Sequence, residues 1–242
     1  MEGDEEVLKE EEKAIRTFNP ELDRKVGPVP APCLCLIEGA NDSGKSVVAA
    51  QYCYGALRSG FSVHYVTTET SVKGLINGMR NLSWDVTEYF ILGRLRINEL
   101  HVKTLDWNPV LSSVILRVII TFMRRNNGVN VFIIDSLTYL LTHAEQRDIL
   151  NFFTQVRNLV DENGKTIILT IHQYAVDQDL FLRLRSIADA HFVLSVKEMG
   201  EKLVRVMQVM KLKGASKGGL TVTFEVDQAF GVKVLPFSQA KA

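Results

Sequence analysis

The stretch Gly39-Ala40-Asn41-Asp42-Ser43-Gly44-Lys45-Ser46 decides the fold of this chain. It matches the phosphate-binding pattern G-x-x-x-x-G-K-[ST] at every fixed position. An apolar run over 33–37 precedes it and is typical of a buried strand, whereas the small and apolar residues over 47–57 predict a helix. Such a turn surrounds a phosphate with backbone N–H groups, and the helix directs the positive end of its dipole at the same anion. The sequence therefore predicts an ATP-binding loop from Gly39 to Val47.

Two oxygen-bearing side chains are predicted to serve a magnesium ion at this loop. In the pattern, Lys45 reaches the β- and γ-phosphates and the Ser46 hydroxyl is a ligand of Mg²⁺. The second landmark is the apolar run 129–135, which ends in Asp135. A buried parallel strand of this kind delivers its last side chain to the ligand-binding edge of the sheet. Asp135 is thus predicted to be the Walker B acid that holds the magnesium shell.

The position after Asp135 is Ser136, where many P-loop ATPases carry a water-activating acid. Any catalytic carboxylate must then come from elsewhere, and Glu69, after the strand predicted over 61–67, is the best-placed candidate. A structural role for Glu69, as an acid in the first turn of the following helix, is about equally compatible with the pattern. The chain has no N-K-x-D guanine-reading motif and no second lysine early in the loop, which argues against GTPases and against deviant-Walker partitioning ATPases.

Composition and charge further restrict the classes of protein to which this chain can belong. The 242 residues suit one large α/β domain, and 46% are hydrophobic and 23% charged. Lys plus Arg and Asp plus Glu both number 28, so a general basic surface for nucleic acid is absent and no nucleic-acid partner is expected. No apolar run reaches the ~18 residues of a membrane span, and the acidic start does not resemble a secretory signal. Three cysteines fit a reducing compartment, with Cys33 and Cys35 expected as core side chains rather than as half of a metal site.

The chain is expected to comprise an acidic N-terminal arm, 1–18, and a single domain, 19–242. The proline-rich segment 19–30 is interpreted as a loop. Further strands are predicted over 92–102, 166–171 and 190–196, helices over 72–88 (with a loop), about 109–122 and 145–161, and a C-terminal hairpin of 203–213 with 220–226. These segments predict a fold with a mainly parallel central sheet, flanking helices and an antiparallel C-terminal edge. Within it, His172 and Gln173 end a strand beside the Asp135 strand, where they can contact a γ-phosphate or merely begin a loop.

The order of these motifs resembles the RecA/KaiC family of ring-forming ATPases. The resemblance rests on the phosphate loop, on 66–69 (Val-Thr-Thr-Glu), on 134–136 (Ile-Asp-Ser) and on 211–214 (Lys-Leu-Lys-Gly), and it covers the chain from about Leu22. Within that family the sequence at 36–46, 67–69 and 188–190 is similar to that of the ATP-binding accessory proteins of the archaellum motor. The resemblance implies a RecA-like fold that binds ATP and Mg²⁺.

The resemblance also implies roles for individual residues. Glu69 matches the water-activating glutamate, Gln173 the polar residue that senses the γ-phosphate, and Lys211 and Lys213 the Lys-x-Arg pair that contacts the phosphate bound to a neighbouring subunit. Two departures matter: KaiC carries tandem acids where this chain has Glu69-Thr70, and the second trans residue is a lysine, which gives a point charge where arginine gives a fork. We therefore expect ATP binding with slow or no hydrolysis.

For assembly, the resemblance implies a homo-oligomer, a hexamer in this family, at the cytoplasmic face of the membrane. Its neighbours there would be the archaellum motor ATPase, a scaffold ring and the membrane platform protein. Two alternatives stay open. One is a RecA/RadA-paralogue ATPase acting on DNA, which needs Arg183 and Arg185 on a mobile inner loop rather than on the exposed face of a leucine-rich helix. The other is a fast KaiC-like ATPase that uses Glu69.

Overall fold

The phosphate loop follows a strand near the middle of a nine-stranded sheet. The computed structural model describes residues 14–102, 105–199, 202–214 and 219–236. The sheet order is β11-β10-β9-β8-β3-β7-β6-β4-β5. Its strands are β3 (Leu34–Gly39), β4 (Val63–Thr67), β5 (Leu95–Glu99), β6 (Val131–Asp135), β7 (Thr166–His172), β8 (Ala190–Met199), β9 (Lys202–Leu212), β10 (Leu220–Asp227) and β11 (Gly231–Val234). The strands from β8 to β5 are parallel to one another, and β9, β10 and β11 continue the sheet antiparallel. The predicted fold class is confirmed.

Helices cover both faces of the parallel strands and bury two hydrophobic cores. One core packs around α2 and α3 with the antiparallel strands, and the other packs around α5 to α8. In the described residues the helices are α1 (Pro20–Lys25), α2 (Lys45–Arg58), α3 (Val72–Asn81), α4 (Thr87–Ile91), α5 (Pro109–Arg125), α6 (Thr138–Thr142), α7 (Gln146–Asp161) and α8 (Gln178–Ile187). None of these helices has the length and hydrophobicity needed to span a membrane.

Parallel pairing brings the functional ends of four strands to one edge. Gly39 pairs with His172, and Thr67 pairs with Asp135. Since β7 lies between β3 and β6, the phosphate loop and the Asp135 carboxylate meet at the carboxyl edge of the sheet. Ligands bind at this edge in open α/β sheets. Cys33 and Cys35 are fully buried in the strand region, as expected for core side chains.

The N-terminal segment is more ordered than the proline content indicated. The assignment of 19–30 to a loop was wrong, because Pro20–Lys25 forms α1. The Asn19 side chain caps this helix by accepting a hydrogen bond from the Leu22 N–H, and Pro20 occupies the first turn, where its missing N–H costs nothing. Before it, Ala14–Ile15 forms the short strand β1, which pairs with β2 (Val29–Pro30).

The segment assigned to the arm is only partly covered by the structure. Ile15 and Thr17 are fully buried, so residues 14–18 pack against the domain rather than extending from it. The burial of Ile15 in the core beside α2 explains this placement, because removing an apolar side chain from water lowers the free energy of the folded state. Residues 1–13, which carry most of the predicted acidic arm, lie outside the described residues.

A β-bulge interrupts the pairing of β8 with β9. His191 pairs with Lys211 but Phe192 pairs with Val209, so Met210 is an extra residue on β9. Before the bulge, Met207 and Val209 point into the core around α2, and after it Leu212 points into the same core. A one-residue insertion of this kind reverses which face each following side chain occupies. Lys211 therefore lies on the opposite face, where its Nζ donates to the carbonyl oxygen of Ser186 on α8 at 3.1 Å.

Candidate nucleotide site

The phosphate loop holds its shape through internal hydrogen bonds and two glycines. The Ser43 hydroxyl and the Lys45 ammonium each donate to the Ala40 carbonyl oxygen at 2.7 Å. Gly44 adopts a φ of +95°, which glycine reaches without strain, and caps the N-terminus of α2. A Cβ on Gly39 would lie 2.4 Å from the Leu194 carbonyl oxygen and 2.5 Å from the Ser43 hydroxyl. Neighbouring protein atoms thus leave little room for a side chain at either position, and the turn requires glycine at both.

Asp135 lies across from the loop and is buried, with 3% of its surface exposed. Its carboxylate accepts three hydroxyl hydrogen bonds, from Thr170 at 2.6 Å, from Tyr65 at 2.8 Å and from Ser46 at 3.1 Å. Burial raises the pKa of Asp135, and the nearby Glu69 charge raises it further, whereas the three hydrogen bonds lower it without cancelling the rise. A divalent cation at this place would remove that cost by favouring the ionised carboxylate.

Lys45 extends from the start of α2 into the same space. Burial lowers the pKa of Lys45, while the carboxylates of Asp135, Glu69 and Asp42 oppose the shift. A lysine surrounded by three acids and half removed from water is suited to a polyanion, whose charge would favour the ammonium form. The predicted pairing of Lys45 with the phosphates is consistent with this position.

Glu69 lies at the mouth of the site, beyond the end of β4. Its backbone N–H donates to the Thr67 hydroxyl at 3.2 Å, and its Oε1 accepts a hydrogen bond of 3.0 Å from the Ser136 hydroxyl. Ser71, and not Glu69, caps the next helix by accepting from the Gly74 N–H. The carboxylate therefore faces the site rather than serving as a first-turn acid of α3.

A cavity of about 550 Å³ joins these groups. Its lining includes the predicted residues Asn41, Asp42, Gly44, Lys45, Ser46, Val47, Glu69 and Asp135, and also Ser136, Thr138, His172 and Arg205. Gln173 is absent from that lining, and its backbone N–H donates to the Gly39 carbonyl oxygen at 3.4 Å. At the strand end His172, rather than Gln173, faces the cavity, and the Thr138 hydroxyl accepts from its N–H at 2.9 Å.

Sequence reasoning missed two lining residues, Thr138 and, on a more distant strand, Arg205. Arg205 lies on β9, and its Nε donates to the Asp42 carbonyl oxygen at 3.1 Å. Its Cδ lies 3.1 Å from the position that a Cβ on Gly44 would take, so it packs directly on the loop. No local pattern marks it, because an antiparallel strand distant in sequence brings it there. The one available signal was a cation in the middle of a strand rich in apolar residues.

The residues present fit a magnesium nucleotide. The cavity of about 550 Å³ beside the loop leaves room for phosphate groups, and Lys45 supplies the cation. Ser46 and Asp135 offer only oxygen atoms, the ligands that Mg²⁺ prefers, and Mg²⁺ completes its shell with phosphates and water. Consistent with such shared coordination, no cluster of three or more His, Cys, Asp or Glu side chains in the described part of the chain could hold a metal by itself.

Lys211 and Lys213 lie far from the cavity of their own chain. Leu212, between them, pairs with Ala190, which pairs with Cys35, four residues before Gly39. At about 3.3 Å per residue they lie roughly 13 Å from the loop along the sheet. The Lys213 side chain is 73% exposed, and its Nζ lies 3.9 Å from the Asp189 carboxylate. Neither lysine can complete the site of its own chain, so a phosphate contact would have to be made in a neighbouring subunit.

The arginines of the DNA-binding alternative are on a helix and not on a loop. Arg183 is exposed on α8, whereas Arg185 donates twice to the buried Glu38 carboxylate, at 2.9 and 3.0 Å. The guanidinium carbon of Arg185 also lies 4.4 Å from the centre of the Phe181 ring. Arg185 is thus occupied within the fold, and only Arg183 matches the exposed helical face expected for the pair.

Comparison with known proteins identifies the family. The family described as "ATPase: KaiC" matches residues 15–239. The archaeal flagellar ATP-binding protein FlaH of Sulfolobus acidocaldarius is 37% identical over 228 residues, which cover 94% of this chain and 99% of that protein. The chain belongs to the KaiC-like ATPase family, and within it to the FlaH proteins.

Other KaiC-like proteins show the same relationship at lower similarity. FlaH of Methanocaldococcus jannaschii is 24% identical over 88% of this chain and 91% of its own length. The crystal structure of flagellar accessory protein FlaH from that organism matches 93% of this chain and all of that one, with a TM-score of 0.79 and 22% identity. A KaiC-like protein of Pyrococcus horikoshii has a TM-score of 0.71 over 92% of this chain and 99% of that one, at 24% identity. At these identities the two structures establish the RecA-like fold that the sequence predicted.

Proposed function

We propose that this chain is the ATP-binding component of an archaellum motor complex, in which it acts as a nucleotide-dependent assembly switch with slow or no hydrolysis. The observation that carries the proposal is the pairing of the phosphate loop with the Ser46–Asp135 contact, in a chain similar along its whole length to a protein named as an archaeal flagellar ATP-binding protein. Membership of a P-loop ATPase family supports nucleotide binding, with Mg²⁺ as the usual partner ion.

In the proposed complex, Lys45 and the loop N–H groups bind the phosphates of ATP. The Ser46 hydroxyl and the Asp135 carboxylate hold the magnesium shell, which supplies charge neutralisation between the phosphates. Arg205 and His172 line the same cavity and add polar contacts. These groups explain binding, and none of them requires that the nucleotide be cleaved.

Slow hydrolysis follows from what surrounds the candidate base. Glu69 is the carboxylate at the end of β4 that lines the cavity, and the Ser136 hydroxyl already donates to it. The trans position that would stabilise charge on the transferred phosphoryl group carries Lys213, which lacks the bidentate geometry of arginine. Arginines in such positions supply about 10³–10⁵-fold of turnover elsewhere. A chain without one is better suited to report nucleotide state than to release energy.

Assembly is the proposed output. Lys211 and Lys213 cannot reach the site of their own chain. The site around a γ-phosphate bound to one subunit would therefore be completed by the lysines of the next subunit, which favours a closed homo-oligomer. We propose a hexameric ring at the cytoplasmic face of the membrane. It would lie next to the archaellum motor ATPase, a scaffold ring and the membrane platform protein, with no nucleic acid involved.

The test is calorimetric titration of the full chain with Mg-ATP. Loss of one charge-assisted contact removes about 1.5–3 kcal/mol, so Lys45→Ala should weaken ATP binding on the order of 10–100-fold. Lys25→Ala, on α1 and outside the cavity lining, is the matched control and should bind as the parent does. The motor role is tested by co-sedimentation with purified motor ATPase and scaffold protein, in which ATP should increase complex formation by the parent but not by Lys45→Ala. ATP affinity in folded Lys45→Ala equal to that of the parent would refute the nucleotide site. Normal ATP binding by the parent, with no co-sedimentation of either partner protein, would refute only the motor role.

A further inference from the structure

A second cavity, of about 440 Å³, lies between α1, α2 and β11. This volume is within the range of about 300–1,000 Å³ that ligand pockets occupy. It shares no residue with the nucleotide cavity. Four aromatic side chains line it, namely Phe18, Tyr54, Trp84 and Phe230, and we call it the aromatic pocket. Phe18 is 39% exposed and Phe230 is 62% exposed, so the rim presents aromatic surface to the outside.

The walls of the aromatic pocket are fixed by contacts behind them. Trp84 packs on Gly231 so closely that a Cβ there would lie 1.9 Å from the indole Cζ2. The Ser83 hydroxyl donates to the Gln228 carbonyl oxygen at 2.8 Å, and the Asn19 side-chain amide donates to the carbonyl oxygen of Val232. A cavity held open by bonds among its own walls loses little conformational freedom when it is occupied.

Gln51 contributes an unpaired polar atom to this lining. The residue is 2% exposed, and its Nε2 donates to the Thr17 carbonyl oxygen at 2.8 Å, which sets the orientation of the amide. Its Oε1 is buried and has no hydrogen-bond partner among the described residues. Buried acceptors are nearly always satisfied in native proteins. This oxygen is closed off from solvent, so a molecule in the pocket does not reach it, and polar recognition there depends on Arg58.

Arg58 contributes an unpaired charge. Its guanidinium carbon lies 4.4 Å from the centre of the Phe18 ring and 5.8 Å from that of Tyr54. Within the described residues, no ion pair joins Arg58 to a carboxylate. A guanidinium stacked by its face on a ring still has its N–H groups in the plane, where they can accommodate a carboxylate in a bidentate manner.

We propose that the aromatic pocket docks a segment of a partner protein that presents a tyrosine or tryptophan next to an acidic residue. The ring packs among the aromatic side chains that line the pocket, and the carboxylate pairs with Arg58. The ring of the partner matches the aromatic walls, and its carboxylate matches the unpaired cation. This inference is independent of the proposed function, because the pocket and the nucleotide cavity have no residue in common.

Trp84 provides the readout. The chain has two tryptophans, so Trp107→Phe leaves Trp84 as the only indole, and its emission is followed during titration of the full chain. The probe is the peptide acetyl-Glu-Tyr-Glu-amide. Acetyl-Glu-Ala-Glu-amide and acetyl-Lys-Tyr-Lys-amide are the controls for the ring and for the charge. The acidic tyrosine peptide should give a saturable change, and both controls should bind at least tenfold more weakly.

Two variants locate the binding. Arg58→Gln and Phe230→Ala should each weaken binding of acetyl-Glu-Tyr-Glu-amide at least tenfold, and both side chains are far enough from the core for the fold to persist. Arg117→Gln, an exposed arginine on α5, should leave binding unchanged. A missing saturable change, equal binding of all three peptides, or full binding by Arg58→Gln would overturn the proposal. Equally tight binding of N-acetyltyrosinamide would also overturn it, since the pocket would then select a small aromatic molecule rather than an acidic segment.

Discussion

The Ser136 hydroxyl donates a hydrogen bond of 3.0 Å to Oε1 of Glu69. The two residues follow neighbouring strands, and the Thr68 hydroxyl strengthens the link, since it accepts from the Ser136 N–H at 2.9 Å. Serine thus occupies the position where many P-loop ATPases carry their own acid, and it binds the candidate catalytic carboxylate of Glu69. Glu69 is therefore oriented by a hydrogen bond to a side chain of the protein.

Removal of that hydroxyl should therefore increase ATP turnover. Ser136→Ala removes a hydrogen bond worth about 1 kcal/mol and frees the Glu69 carboxylate, so we expect the rate of phosphate release to rise about three- to tenfold. Ser136→Thr, which keeps the hydroxyl, is the control and should remain slow. Glu69→Gln should abolish the gain in the Ser136→Ala background. A Ser136→Ala rate equal to that of the parent would show that the contact does not restrain Glu69.

Asp135 should make nucleotide binding and stability respond to pH in opposite directions. Magnesium needs the ionised carboxylate, and burial raises the Asp135 pKa above its ordinary value of 3.8. As pH falls through this raised pKa, Mg-ATP affinity should fall. The same proton binds the folded state more tightly than the unfolded one, so this group's contribution stabilises the nucleotide-free protein below that pKa and is lost as pH rises through it.

Asp135→Asn tests the same relationship at neutral pH. The variant should raise the Tm of the nucleotide-free protein, because a buried charge is removed, and it should weaken binding of Mg-ATP much more than binding of ATP in EDTA. Scanning calorimetry and titration at matched ionic strength measure the two effects. A loss of ATP affinity that is the same with and without magnesium would contradict the role of Asp135 in the metal shell.

Gly39 should tolerate no side chain. Gly39→Ala places a Cβ 2.4 Å from a backbone oxygen of β8, so β3 or the loop must shift. We expect a destabilisation of about 1–3 kcal/mol, as for overpacked core sites, and a loss of ATP binding. Gly128→Ala is the matched control, because a Cβ there meets nothing within 4 Å. Unchanged stability and ATP affinity in Gly39→Ala would mean that the loop is far more compliant than its contacts indicate.

The two lysines on β9 should control assembly without affecting the binding step. Substitution of both Lys211 and Lys213 by alanine should leave ATP affinity of the monomer within about twofold, since neither contacts the cavity of its own chain. The parent should form a larger species with ATP than with ADP or without nucleotide, by light scattering at equal concentrations, and the double variant should not. Identical size distributions of the parent in the three conditions, or full assembly by the double variant, would remove the proposed switch.

Local patterns predicted the residues that lie next to one another in sequence. The loop from Gly39 to Ser46, Asp135 at the end of an apolar run and Glu69 after a strand could be predicted to lie at one edge of the sheet, because one short segment fixes each position. The same reasoning misassigned α1, since proline was taken as a loop former although Asn19 and Pro20 begin a helix. It also missed β11, which is four residues long.

Arg205 shows why the rest of the site could not be predicted. Its place beside Asp42 depends on the pairing of β9 with β8 and of β8 with β3, over a sequence separation of 163 residues. Nothing within a window of ten residues specifies such a register. The choice between His172 and Gln173 depends likewise on which side chain the strand end directs to the cavity, and only the folded sheet decides it.

The extra residue at Met210 gives β9 two orientations along one strand. Upstream of it Arg205 points to the chain's own loop, and downstream of it Lys211 and Lys213 point to the other side of the sheet. In the proposed ring, a single strand would thus touch two different nucleotides, one through each of its faces. The bulge thus reverses the alternation of side chains: if β9 kept Met210 and paired without a bulge, Arg205, Lys211 and Lys213 would all lie on one face of the sheet. A subunit altered in this way could still fold around its own ATP while losing any means of sensing whether its neighbour holds one.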